Sequence, residues 1–210
     1  MKRALIVVDV QNDFCPGGAL SVSRGDEVVP IINDLMAREY FDLIVATQDF
    51  HPANHLSFAS QHGKSPGEMI ELNGAPQVLW PDHCVENTRG AELVESLKTS
   101  RIARVFQKGQ KREVDSYSGF FDNDHQTETG LGEYLKNENM DEVYVCGLAT
   151  DYCVKYSALD AKALGFETFL IEDASRGVNL QSDDSEKAIE ELKDAGVLVV
   201  QSSALTRHCR

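Results

Sequence analysis

The sequence predicts an α/β domain, a three-layer doubly wound sandwich with a six-stranded parallel sheet flanked by helices. Two observations predict this fold class. Six short, β-branched apolar runs recur along the chain, and they are continuous rather than alternating, as expected for strands buried on both faces of a parallel sheet. Segments of helical character separate most of these runs, and such alternation implies right-handed crossovers.

Local sequence signals place each element. The apolar runs predict strands at residues 4–10, 43–48, 104–109, 141–148, 167–173 and 197–203. Helical character predicts helices at residues 26–39, 89–98, 131–137, 151–164 and 186–194. The last helix is marked by Asp183 and Glu186 at capping-box spacing and by Gly196 just beyond its end.

Residues 50–88 depart from this pattern. The interval carries prolines and histidines and shows no clear periodicity. Loops of this length in a compact domain are usually functional. Ligands of doubly wound sheets bind at the carboxyl ends of the strands, so the residues that end each strand are also candidates for function.

Length, charge and cysteine content narrow the class of protein. A chain of 210 residues suits one domain, residues 1–210, or at most one domain with a small insertion. The formal net charge of -14 disfavours nucleic acid and anionic lipid as partners, because either requires a basic face. Five widely spaced cysteines in a chain of this size are typical of free thiols in a reducing cytosol.

The N-terminal residues indicate a strand rather than a targeting segment. Lys2 and Arg3 precede an apolar run, but Asp9 interrupts it and no small-residue cleavage site follows. No apolar run approaches the roughly 20 residues of a membrane span. We therefore expect no membrane partner and a cytoplasmic location.

Three chemically active side chains stand near the ends of predicted strands. Asp9 ends the first strand, Lys108 ends the third, and Cys153 falls in the first turn of the helix after the fourth. In that turn, unpaired amides and the helix dipole lower a thiol's pKa and can hold a developing oxyanion. Each residue alone is more often structural. Together they supply a nucleophile, a base and a charge that tunes the base.

A second polar cluster lies in and beside the long loop. The stretch TQDFHPANH supplies Asp49, His51 and His55, and WPDHC supplies His83. An Asp-x-His pair after a strand points two ligands to one side of an extended segment, and one further histidine completes a three-residue metal site with open positions. Such oxygen and nitrogen donors suit Zn²⁺, Fe²⁺ or Mn²⁺. The alternative is a set of loop histidines bonded to the backbone.

Aromatic residues accompany both clusters. Phe14 follows the first strand, Trp80 lies near His83, and Tyr117 follows Lys108. Together they would wall a flat pocket for an aromatic ring, although each alone is more often a packing residue. Glycine fingerprints for dinucleotides or a P-loop are absent from the sequence, which weakens any nucleotide-binding interpretation.

Six motifs in chain order resemble a known family. They are VVDVQNDFCPGGAL, TQDFHPANHLSFAS, LWPDHC, FQKG, DSYSGFFDN and GLATDYCVKYSALDA. In this combination they resemble the nicotinamidases of the isochorismatase-like cysteine hydrolases, and the match runs over nearly the whole chain. Folds of that family have a six-stranded parallel sheet flanked by helices, in agreement with the six apolar runs.

The resemblance implies roles for particular residues. It implies a catalytic triad of Asp9, Lys108 and Cys153, with backbone amides of Ala149 and Cys153 forming the oxyanion hole. The divalent metal, zinc before iron or manganese, would be held by Asp49, His51 and His83, while His55 is the nearest candidate for a fourth ligand. The implied pocket for the substrate ring consists of Phe14, Leu20, Trp80 and Tyr117. A cis peptide between Leu148 and Ala149 is implied as well.

The implied reaction is hydrolysis of nicotinamide, and of pyrazinamide, to the acid and ammonia through a thioester, in NAD salvage. Three alternatives stay open at this point. An isochorismatase would have no need for the metal ligands, a broader amidase would accept other carboxamides, and a silent α/β module would keep a structural metal without turnover. The resemblance leaves open whether the chain forms a homo-oligomer.

Overall fold

A computed structural model describes residues 1–206 of the chain. His208 and Cys209, to which the sequence assigns no site, lie outside these residues. The elements in chain order are β1 (Arg3–Val8), α1 (Val28–Ala37), β2 (Leu43–Asp49), β3 (Met69–Leu72), β4 (Ala75–Val78), β5 (Arg104–Lys108), α2 (Leu131–Asn137), β6 (Glu142–Leu148), α3 (Lys155–Ala163), β7 (Glu167–Arg176), α4 (Asp184–Asp194) and β8 (Leu198–Val200).

The six predicted strands pair into one parallel sheet with the order β5-β2-β1-β6-β7-β8. Strands β2 and β5 lie on one side of β1, toward one edge of the sheet. The next strand of this sheet, β6, lies on the other side of β1. This order is doubly wound, and its switch point lies between β1 and β6. The predicted fold class is confirmed.

Helices cover both faces of the sheet. On one face α1 buries Val28, Ile32 and Leu35 in a shared apolar cluster with the strands. On the other face, α2, α3 and α4 contribute Leu131, Ala158 and Leu192 to a second cluster. Because β1, β2, β6 and β7 are apolar on both sides, they contribute side chains to both clusters, and the result is three layers. Among residues 1–206, the structure has no helix with the length and apolar character that crossing a membrane requires.

The helix predicted at residues 89–98 is wrong. The segment contains one short 3-10 turn, Arg89–Ala91, and then runs irregularly. Its backbone groups bond to other segments: Val94 N donates to Val10 O at 3.0 Å, and Ala91 O accepts from the side chain of Gln11 at 2.8 Å. These tertiary bonds satisfy the backbone in place of a helical ladder.

The loop region 50–88 contains a hairpin that the sequence analysis missed. Strands β3 and β4 pair antiparallel, with Leu72 opposite Ala75. The connecting residues are Asn73 and Gly74, both with positive φ. Asn-Gly is a strong two-residue hairpin signal, so the sequence did carry this information.

Candidate active site

The switch point of the sheet brings the predicted strand-end residues together. Asp9 directly follows β1, and Ala149 directly follows β6, its neighbour in the sheet. Lys108 is the last residue of β5, paired in register with Asp49 at the end of β2. All of these residues are buried. The crevice above the carboxyl ends of these strands is therefore lined by ionisable groups.

Lys108 is the centre of the cluster. Its Nζ atom lies 2.9 Å from Asp9 Oδ2 and donates to the Asp49 carboxylate. The same atom donates to Cys153 Sγ at 3.4 Å and to Ser116 O at 2.8 Å. One buried ammonium therefore joins the predicted base, the predicted nucleophile and the first predicted metal ligand.

The electrostatics of the three residues are set by burial and by each other. Burial raises the pKa of the Cys153 thiol well above its ordinary value, against the opposing effect of Lys108. The lowered thiol pKa expected from the helix N-terminus is therefore wrong for the resting site. Burial also raises the pKa of Asp9, while Lys108 acts to lower it. Burial alone would lower the pKa of Lys108, but the carboxylates of Asp49 and Asp9 raise it well above its ordinary value.

Asp9 has a second partner on β2. Thr47 Oγ1 donates to Asp9 Oδ1 at 2.5 Å, and Asp9 N donates back to the same hydroxyl at 3.3 Å. Asp9 itself has a φ of 48°, so the chain turns sharply where β1 ends. The hydroxyl fixes one carboxylate oxygen, which leaves the other oriented toward Lys108.

Cys153 lies in the turn that joins β6 to α3. Residues Thr150–Val154 form a π-helical turn in which Val154 N donates to Ala149 O at 3.0 Å. The peptide bond between Leu148 and Ala149 is cis, as the resemblance implied. Ala149 is the N-cap residue of this turn, so the two predicted oxyanion amides belong to one short segment.

The predicted metal ligands also converge. Asp49, His51 and His83 bring their ligand atoms within 4.8 Å of one another, and all three are buried. His51 Nδ1 lies 2.8 Å from Gly109 O, and His83 Nδ1 lies 2.8 Å from Pro81 O. A ring nitrogen that faces a carbonyl must carry the proton, so both Nε2 atoms keep a lone pair.

The Nε2 atoms of the two histidines face the carboxylate of Asp49. His51 Nε2 lies 3.5 Å and His83 Nε2 lies 3.8 Å from Asp49 Oδ2. His51 Nε2 is buried without a hydrogen-bond partner. An orphaned buried nitrogen beside a carboxylate and a second imidazole fits a divalent cation such as zinc, iron or manganese.

His55 lies beside this cluster with both ring nitrogens engaged. Its Nδ1 accepts from Ser57 N at 3.2 Å and lies 2.7 Å from Ser57 Oγ, while its Nε2 faces Val114 O at 3.2 Å. Its ring centroid is 4.3 Å from that of His51. Burial lowers the pKa of His55 to about 4, so the ring is neutral near pH 7. In this arrangement both ring nitrogens of His55 have protein partners, although His51, His55 and Asp115 together also form a group that could hold a metal.

An apolar pocket opens above these groups. It is lined by the turn that carries Cys153, by two of the predicted metal ligands and by the predicted ring-binding residues. The lining residues are Phe14, Leu20, Asp49, Trp80, His83, Asp115, Tyr117, Ala149, Tyr152, Cys153 and Val178. All four residues predicted to hold the ring, Phe14, Leu20, Trp80 and Tyr117, are among them. The pocket thus has apolar walls with a thiol and two of the predicted metal ligands inside.

Sequence reasoning missed several residues of the pocket and its support. Asp115 and Tyr152 stand in the motifs DSYSGFF and GLATDYCV, next to residues that were singled out, so their position along the chain could have revealed them. Val178, which follows β7, and Thr47, which bonds to Asp9, carry no comparable sequence signal. Their roles depend on neighbours that are distant in sequence.

A family model described as the isochorismatase domain matches residues 3–204. The chain belongs to this family. Among curated isochorismatase-family proteins, the nicotinamidase of Escherichia coli (strain K12) is 50% identical over 196 residues, covering 92% of this chain and 92% of that protein.

Two solved structures extend the similarity to three dimensions. The Acinetobacter baumanii nicotinamidase pyrazinamidase has a TM-score of 0.94 at 47% identity, covering 98% of both chains. The pyrazinamidase of Pyrococcus horikoshii, solved in complex with zinc, has a TM-score of 0.78 at 40% identity, covering 96% of this chain and 99% of that one. The resemblance to nicotinamidases of the isochorismatase family is confirmed.

Proposed function

We propose that this isochorismatase-family enzyme is a metal-dependent cysteine amidohydrolase that converts nicotinamide to nicotinic acid and ammonia through a thioester. The single observation that carries the proposal is the position of Lys108, whose ammonium contacts Asp9, Cys153 and Asp49 at the floor of the pocket. It joins a base and a nucleophile to a metal-ligating cluster. The similarity to nicotinamidases and pyrazinamidases supports nicotinamide, and also pyrazinamide, as substrates.

Proton transfer from Cys153 to Asp9 begins the reaction. Because burial keeps the thiol protonated in the resting site, the nucleophile needs a base within reach. Asp9 is that base: it and the thiol both contact the Lys108 ammonium, and Lys108 favours the ionised form of the carboxylate by lowering its pKa against the effect of burial. The thiolate then attacks the carboxamide carbon, and the backbone amides of Ala149 and Cys153 stabilise the oxyanion.

Collapse of the tetrahedral adduct releases ammonia. Protonated Asp9 gives its proton to the amide nitrogen, the carbon–nitrogen bond breaks, and the acyl group remains on Cys153 Sγ as a thioester. A water molecule then attacks the thioester, with Asp9 taking one of its protons. The carbon–sulfur bond breaks, nicotinic acid leaves, and the proton returns to the thiolate.

Asp49, His51 and His83 would hold one divalent metal, with zinc the first choice and iron or manganese the alternatives. When bound, the metal supplies a Lewis acid that positions and polarises the substrate through its pyridine nitrogen. The orphaned Nε2 of His51 supports this assignment. A metal-ligating set of this kind argues against an isochorismatase, which would have no need for it.

The pocket walls favour a flat ring. Phe14, Leu20, Trp80 and Tyr117 supply apolar surface around the thiol, and Trp80 Nε1 donates to Tyr117 OH at 3.2 Å. Stacking against such walls holds an aromatic ring while the carboxamide points to Cys153. We further propose a cytoplasmic enzyme of NAD salvage, in line with the free thiols of the four cysteines among residues 1–206.

Ammonia release from nicotinamide tests the proposal. We expect Cys153→Ala to lower turnover at least about 10³-fold, because it removes the nucleophile. Cys146→Ala, which alters a buried cysteine of β6 that does not line the pocket, is the matched control and should stay active. Treatment of the wild-type enzyme with a chelator should abolish activity, and adding back zinc, iron or manganese separately would identify the metal. If the metal-loaded wild-type enzyme is inert on nicotinamide and pyrazinamide, the assignment is wrong.

A further inference from the structure

The hairpin β3–β4 points one polar side chain inward. Its first strand alternates between exposed and half-buried residues, and Ala75 and Pro76 of the second strand are exposed. Gln77 is the exception, with only 6% of its surface exposed. A primary amide buried in this way requires hydrogen-bond partners, and the identity of those partners indicates its role.

The partners of Gln77 belong to the pocket. Its Nε2 donates to Asp115 Oδ2 at 2.9 Å and to the Val78 carbonyl at 2.7 Å. The hydroxyl of Tyr117 lies 3.4 Å from the same nitrogen and also accepts from Trp80 Nε1 at 3.2 Å. Asp115, Tyr117 and Trp80 all line the pocket, whereas Gln77 does not.

This network joins two separate segments of chain. Trp80 follows the hairpin, while Asp115 and Tyr117 follow β5, so the two aromatic walls come from segments that are distant in sequence. Asp115 is itself buried, and its other oxygen accepts from Ser116 N at 2.8 Å. Removing the Gln77 amide would leave a buried carboxylate oxygen without its donor, and Asp115 and Tyr117 would have to shift to find another.

We propose that Gln77 is a positioning residue for substrate binding. Its amide holds Asp115 and Tyr117, and through Tyr117 the indole of Trp80, in the arrangement that receives a pyridine or pyrazine ring. Gln77 makes no contact with substrate, so its loss weakens ring binding more than it slows the chemistry at Cys153. The inference rests on the proposed function only in assigning a carboxamide ring to this pocket.

Trp80 provides a direct readout, because it is the only tryptophan of the chain and only 4% of its surface is exposed. We compare Gln77→Met, which keeps the size but loses the donor, with the wild-type protein. We expect a larger acrylamide quenching constant for Trp80 in the ligand-free variant. The KM for nicotinamide should rise about tenfold, with kcat changed less than about threefold.

Glu71→Met is the matched control. Glu71 lies on the other strand of the same hairpin, opposite Pro76, and is exposed. The Glu71→Met variant should leave both the quenching of Trp80 and the KM for nicotinamide unchanged. Gln77→Asn, whose amide is one methylene too short to reach Asp115, is a second variant and should reproduce the effect of Gln77→Met.

The proposal is overturned if both Gln77 variants have the same quenching constant and the same KM as the wild-type protein. It is also overturned if kcat falls while KM stays constant. If neither variant folds, Gln77 serves the hairpin's stability and the proposal also fails. Because quenching is measured without substrate, it tests the position of Trp80 even if the wild-type protein proves inert on nicotinamide. Failure of the positioning role and failure of the proposed reaction are therefore distinguishable.

Discussion

Thr47 contributes to the proton affinity of Asp9, the proposed base. Its hydroxyl donates to Asp9 Oδ1 at 2.5 Å, and a hydrogen bond to the charged form of a carboxylate lowers its pKa. Burial pushes the pKa of Asp9 in the opposite direction, and the hydroxyl and Lys108 together oppose that effect. The ionised state needed to accept the thiol proton is therefore favoured by Lys108 first and by Thr47 in addition.

Replacing the Thr47 hydroxyl should shift the pH dependence of kcat/KM in a predictable direction. In Thr47→Val the pKa of Asp9 rises, so a larger fraction of Asp9 is protonated at any given acidic pH. Since protonated Asp9 cannot accept the proton of Cys153, the acidic limb of the kcat/KM profile should move to higher pH. Thr168→Val removes a buried hydroxyl from β7, where it donates to Phe166 O, and should leave the profile unchanged. A limb that stays in place for Thr47→Val would contradict the role given to Asp9.

At the scale of elements, Gly147 allows β6 to pass close to β1 just before the turn that carries Cys153. The residue has a φ of +117°, and a Cβ atom built on it would lie 2.1 Å from Val8 O. Because that neighbour is backbone within a paired strand, it cannot move aside. We expect Gly147→Ala to destabilise the fold by about 3 kcal/mol or more.

The matched control is Gly165→Ala, at the end of α3. Gly165 also has a positive φ of +94°, but a Cβ there meets nothing within 4 Å. Its replacement should cost only the backbone strain, about 1 kcal/mol. Urea denaturation midpoints of the two variants measure the difference. Equal midpoints would show that the contact with Val8 is tolerated.

How far the sequence predicts an element depends on where its backbone hydrogen bonds go. Strands β1, β2, β6 and β7 were predictable because runs apolar on both faces are typical of a covered parallel sheet. The segment 89–98 was not, since its backbone bonds to Val10 and to the side chain of Gln11, which are distant in sequence. The hairpin β3–β4 was missed although its signal, Asn73-Gly74, was local.

The residues of the candidate site also differ in how far the sequence alone predicts them. Asp9 and Lys108 could be placed together from sequence because parallel strands end at one edge of the sheet. Gln77 could not, because its role arises from contacts with Asp115 and Tyr117, on a segment that follows a different strand. Residues that carry the chemistry therefore stand out in the sequence, while those that position them emerge only from packing.

For the whole molecule, the metal cluster connects the sheet to the long loop. Asp49 ends β2, whereas His51 and His83 lie on the segments before and after the hairpin. A metal that binds all three stabilises only the folded chain, so its binding free energy adds to the free energy of unfolding. At a metal concentration about 100 times Kd the gain is about 2.7 kcal/mol.

That gain predicts a metal-dependent melting temperature. For a chain of this size, adding zinc to chelator-stripped wild-type protein should raise Tm by roughly 5 to 10 °C. His83→Gln removes one ligand and should melt at the same temperature with and without zinc. His55→Gln is the decisive comparison, since both nitrogens of His55 are engaged with Ser57 and Val114. The His55→Gln variant should keep the zinc-dependent rise in Tm. If it loses that rise as completely as His83→Gln does, His55 is a fourth ligand that the loop brings to the metal by rearranging on binding.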